Sequence, residues 1–104
     1  MELKDTVQLM QSEDYKERFR AEYWQTKIRY DKLHKMIIKH EAGTLDFTPS
    51  CDISVLKDQA GAMGNYLYAL EVRAEIERVD LREGIEYTAY VDADGKTFIR
   101  HCLN

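Results

Sequence analysis

The sequence predicts a mainly α-helical fold, an antiparallel two-helix hairpin followed by a short C-terminal β-hairpin. Three observations predict it. Apolar residues recur at steps of three and four along two long stretches, near Glu13–His40 and Asp52–Val79. The segment between them holds a glycine and the only proline of the chain. Near the C-terminus, Asp94-Gly95 separates two β-prone runs, which is hairpin chemistry.

The first helix is expected to start at Ser12, a side chain suited to accept from an orphan backbone N–H, with Glu13 and Asp14 facing the positive end of the dipole. Tyr15, Phe19, Tyr23, Thr26, Tyr30, Leu33 and Ile37 then fall on one helical stripe, widened by Trp24, Ile28, Met36 and Ile38. Gly43 is the expected left-handed C-cap. Leu45 and Phe47 are apolar within the connection, so the loop is expected to fold back on the hairpin tip. Asp52 is the second N-cap candidate. Ile53, Leu56, Ala60, Met63, Leu67, Leu70 and Ala74 form a heptad-like seam suited to a partner helix. Gly61 and Gly64 interrupt it, each costing roughly 1 kcal/mol of helix propensity. Their presence fits either close approach by another element or tolerated surface glycines. Gly84 is read as the end of the helical region. The chain is thus one domain over 1–104: an N-terminal arm at 1–11, either frayed or an extra helical turn, the helical hairpin at 12–81, and the β-hairpin at 84–104.

Composition narrows the function classes. The chain has 104 residues, 44% hydrophobic and 33% charged, with a formal charge of −4. That balance fits a folded domain and argues against indiscriminate DNA binding, which needs clustered basic charge. No apolar run approaches the roughly 20 residues of a membrane span, and the first residues lack a basic and an apolar region, so a cytoplasmic protein without a secretory signal is expected. Cys51 and Cys102 lack metal-like spacing and are expected to be free thiols.

Catalytic motifs fail one by one. Asp92-Ala93-Asp94-Gly95 resembles the middle of a calcium loop, but Tyr90 and His101 would occupy its first and last ligand positions. His34, His40 and His101 form no zinc pattern, and no phosphate-loop or nucleophile-elbow sequence is present. No catalytic residue, metal or cofactor is expected. The charge is uneven: residues 13–41 carry eight Lys/Arg against six Asp/Glu, and residues 52–86 carry four against eight. Lys32, Lys35 and Lys39, with Lys27 and Arg29 nearby, form either a solvated face complementary to the acidic second helix or a phosphate-binding patch. Both helices carry stripes too wide for one pair to bury, so a dimer or higher homo-oligomer is expected.

The residues Tyr30-Asp31-Lys32-Leu33-His34-Lys35-Met36, then Glu41-Ala42-Gly43-Thr44-Leu45-Asp46-Phe47-Thr48-Pro49, then Leu56-Lys57-Asp58-Gln59 with Met63, Tyr66-Leu67 and Arg73-Ala74-Glu75 resemble a family of small phage and prophage proteins related to a crAss-like phage protein. The resemblance spans about residues 15–81. Through Pro49-Ser50, Leu56-Lys57 and Ala62-Met63 the same region resembles the helical hairpin of phage anti-CBASS and anti-Thoeris sponges. It departs from them after Ser50, where Cys51-Asp52 replaces an arginine-glutamate pair. The resemblance implies a non-enzymatic oligomer that sequesters a cyclic nucleotide or a cyclic ADP-ribose-like signal. In such a site Lys32, Lys35 and Lys57 would meet phosphate, with backbone N–H groups near Ser50. Tyr66 would stack on a base, and Gln59 or Thr48 would read its edge. The rival expectation is a helical interaction or scaffold module that binds a host or phage protein.

Overall fold

The computed structural model describes residues 1–82. The expected β-hairpin at 84–104, with Gly84, Asp94-Gly95 and Cys102, lies outside the described residues. Among the described residues the chain is helical and contains no strand. A 3-10 turn at Leu3–Thr6 runs into α1 (Val7–Met10), and two long helices follow, α2 (Tyr15–Ala42) and α3 (Ile53–Glu77). Residues 1–11 are therefore extra helical turns rather than a frayed arm.

Local chemistry sets the helix ends. Asp14, not Ser12, caps α2: its carboxylate accepts from the Lys16 N–H at 2.9 Å. Ser12 stands two residues further out, accepting from the Asp14 N–H at 3.0 Å and donating to Glu17 at 2.6 Å. The carboxylate wins the cap because a charged acceptor binds an orphan N–H more strongly than a hydroxyl. Gly43 closes α2 at φ +75°, in the left-handed region that glycine enters without steric cost. Asp52 caps α3, accepting from the Ser54 N–H at 3.0 Å. The helix ends at Glu77, seven residues before Gly84, because Arg78 turns left-handed at φ 58° and the Val79 N–H returns to the Ala74 carbonyl at 2.9 Å.

The two long helices run antiparallel. Tyr15 meets Glu77 at one end, Tyr23 meets Glu71 further along, and Lys57 pairs with Glu41 at the other end. The core lies at the end away from the connecting loop. Phe19, Tyr23 and Trp24 of α2 pack with Leu67, Leu70 and Ala74 of α3, joined by Val79 and Leu81, which fold back after α3. Two polar contacts fasten that return: Trp24 Nε1 donates to the Leu81 carbonyl and Arg20 Nε to the Asp80 carbonyl, both at 2.6 Å. The N-terminal turns cover the other side of α2, where Gln25 donates to the Thr6 hydroxyl at 3.0 Å. Toward the loop the expected stripes thin out. Leu33, Ile37, Leu56, Ala60 and Met63 are only half-buried. Within the loop Leu45 is half-buried, but Phe47 is 56% exposed and does not fold back on the tip.

Candidate functional site

The loop end of the hairpin is built from the C-terminal turns of α2, the connection at 43–52 and the first turns of α3. Gly43 stops α2 and Asp52 starts α3, so the eight residues between them are held at both ends by backbone capping. Across the gap Lys57 pairs with Glu41, and that ammonium draws the Glu41 carboxyl below its ordinary range. The Asp52 carboxyl is also held low, chiefly by the Ser54 hydroxyl and then by the Ser54 N–H. Both carboxyls therefore stay ionised to a lower pH than they would without these partners.

All seven residues singled out in the sequence are exposed: Lys32, Lys35, Thr48, Ser50, Lys57, Gln59 and Tyr66. Their placement divides them. Lys32 and Lys35 are neighbours on one stripe of α2, roughly 60° apart at 3.6 residues per turn. Thr48 and Ser50 sit in the loop, close in sequence to the α3 N-terminus. Lys57 and Gln59 leave α3 roughly 200° apart, so they occupy opposite flanks of that helix. Tyr66 lies within roughly 20° of Gln59 and shares its flank. One chain thus joins Gln59 with Tyr66 and Lys32 with Lys35, but sets Lys57 away from Gln59 and Tyr66.

Sequence reasoning missed a second aromatic and cationic group. Tyr30 and His34 stack with ring centroids 5.6 Å apart and planes within 7°. The buried Lys27 ammonium lies 5.4 Å from the Tyr30 centroid and 3.3 Å from the Asp31 carboxylate. Gly64 of α3 faces this group, since a Cβ there would meet Tyr30 Cε1 at 3.5 Å. The spacing of Lys27, Tyr30, Asp31 and His34 on one side of α2 was the available signal. That distance is ordinary van der Waals contact, so Gly64 lies against Tyr30 without the contact demanding glycine. Gly61 has open space around it and is not explained within the chain.

Among the described residues no cluster of three His, Cys, Asp or Glu side chains gathers as a metal site, and no helix is long and apolar enough to cross a membrane. Cys51 is an exposed free thiol. Fold and site together define a helical hairpin with cations and aromatic rings displayed on its surface. The family model for Sequestin matches residues 13–76, the whole of the paired-helix region but its last residue, and the chain belongs to that family. No curated protein and no solved structure matches it. The family name denotes sequestration, which is binding rather than conversion of what is bound.

Proposed function

We propose that this chain is a phage-encoded anti-defence sponge that binds a cyclic nucleotide or a cyclic ADP-ribose-like immune signal and holds it without catalysis. The observation that carries this reading is the match of the hairpin to a family named for sequestration. The chemistry at the loop end supports it. Exposed ammonium groups on α2 and at the start of α3 suit phosphoryl oxygens. The capped N-terminus of α3 adds backbone N–H groups, and Tyr66 offers a ring face to a base. Holding a ligand asks only for tight, slow-leaving contacts, so general acids and nucleophiles are not required. Because Lys57 stands on the opposite flank of α3 from Gln59 and Tyr66, a ligand touching all three would lie between copies in a homo-oligomer. The protein would act where such signals are made, in the host cytoplasm.

The test is a thermal-shift and calorimetry series with cyclic di- and trinucleotides and cyclic ADP-ribose isomers. A ligand at a hundred times its Kd should add about 2.7 kcal/mol to stability. Denaturing the complex should then release that ligand chemically intact. A flat response across the series defeats the proposal, and a cleaved ligand makes the protein a hydrolase. The scaffold reading draws on the exposed apolar residues of α3. Capture of one host protein, with no response to nucleotides, would favour it.

A further inference from the structure

Away from the loop, the outer side of α3 is unexplained by anything within the chain. From Gln59 to Leu70 this helix has no charged side chain on any face. A helix with one side in water ordinarily places its charges there, and one without them is ordinarily covered. Tyr68 is 70% exposed, Ile76 75% and Val72 39%. Gly61 lies in the same sector with open space beside it, a helix-weakening residue with no intrachain reason for being small.

The charges that bound this face are arranged for a copy of itself. Lys57 and Glu75 are eighteen residues apart, which is five full turns, so they leave α3 in the same direction about 27 Å apart along the axis. Gly61, Tyr68 and Val72 lie between them and carry no charge. A second α3 running antiparallel about a two-fold axis at the level of Tyr66 sets each Lys57 opposite the partner's Glu75, twice over. The same register brings each Tyr68 ring to the level of Gly64 of the other copy, one turn from the open space at Gly61. A parallel pairing would instead oppose like charges. Near a two-fold axis every residue faces its own copy or a close neighbour, so an uncharged centre with opposite charges at its two ends is the pattern self-pairing requires. Lys57 already touches Glu41, but an ammonium has three donors and accommodates a second carboxylate.

We infer that a second copy of this chain docks antiparallel on the Lys57–Gly61–Tyr68–Val72–Glu75 flank of α3. This gives the self-association proposed above its interface, and it is tested with no nucleotide present, so its failure is separate from failure of the sponge reading. Sedimentation equilibrium of the full chain should find a dimer. Tyr68→Lys should leave a monomer with unchanged helical circular dichroism. Glu75→Lys should raise the dissociation constant roughly tenfold, and combining it with Lys57→Glu should bring it back. With Cys51 and Cys102 replaced by serine, Asn65→Cys beside the axis should cross-link the two copies faster than Gln59→Cys on the opposite flank. A wild-type monomer at about 100 μM, a Tyr68→Lys dimer, an unrescued charge swap or faster cross-linking through Gln59→Cys would each overturn the inference.

Discussion

The two ends of the hairpin are made of the same helices and are held in different ways. At the end away from the loop, three aromatic residues of α2 interlock with Leu67, Leu70 and Ala74, and the chain returns over them through Val79 and Leu81. Around that core Tyr15, Arg73 and Glu77 close a polar triangle. Tyr15 donates to Glu77 at 2.8 Å, Arg73 donates to Tyr15 at 2.6 Å and to Glu77 at 3.0 Å, and the Arg73 guanidinium lies 4.9 Å from the Phe19 ring centroid. At the loop end Leu33, Ile37, Leu56 and Met63 are half-buried, and the exposed ion pair Glu41–Lys57 spans the helices. The contrast separates the two tasks of the fold. Packing is concentrated at the end away from the loop, and the loop end is left with exposed polar groups, the setting in which the ligand site is proposed.

The largest expected effects test whether stability is lodged at the packed end. Trp24→Ala removes a buried ring and its bond to the Leu81 carbonyl, and should cost about 3–5 kcal/mol in urea denaturation. Leu70→Ala should cost about 2–5 kcal/mol, whereas Leu33→Ala, nearer the loop and half-buried, should cost about 1 kcal/mol. Equal losses at the two ends would break the comparison. Next in size is Arg78→Gly. A non-glycine residue at φ 58° is strained, and its replacement should stabilise the chain by up to about 1 kcal/mol, read as a shift of the urea midpoint.

Acid titration sharpens the contrast. The Tyr15 hydroxyl and then Arg73 hold the Glu77 carboxyl below its ordinary value of 4.5. A carboxyl depressed in the folded state stabilises it above the unfolded pKa, and that stabilisation fades as the pH falls from about 4.5 through the lower folded value. Glu77→Gln should therefore flatten the acid limb of the stability curve. Glu41→Gln should flatten it less, since Glu41 is held chiefly by the single ammonium of Lys57. The Tyr15 hydroxyl shifts the other way, raised first by its bond to Glu77. Its stabilisation is present below the unfolded pKa and is lost in alkali as the pH rises through the folded one. The smallest expected change in stability is at the loop end. At concentrations below dimerisation, Lys57→Ala should leave the melting temperature within error, because exposed pairs contribute little, and in the calorimetry series it should weaken the binding of any phosphorylated ligand. A large loss of stability from this change would make Lys57 a structural residue.

Much of the hairpin was legible in the sequence because helix formation is local. The three-and-four spacing from Phe19 to Ile37 and from Ile53 to Ala74 depends only on 3.6 residues per turn, and glycine at 43 and aspartate at 52 act within their own turns. Where two local signals competed, as with Ser12 and Asp14, the spacing was right and the cap was two residues out. The candidate site was less legible. Residue types named Lys57, Gln59 and Tyr66 together, although the helical period already sets Lys57 on the far side of α3 from the other two.

What the sequence determined by itself was two amphipathic helices, the caps at Gly43 and Asp52 and the loop that reverses the chain, all products of contacts a few residues apart. Only the tertiary structure decided which half of each apolar stripe is buried. It also placed Val79 and Leu81 in the core, allotted Gly64 to Tyr30, and left Gly61, Tyr68 and Ile76 uncovered. Those outcomes depend on how two helices meet and how far the chain returns over them, and pairings between residues tens of positions apart leave no period in the sequence.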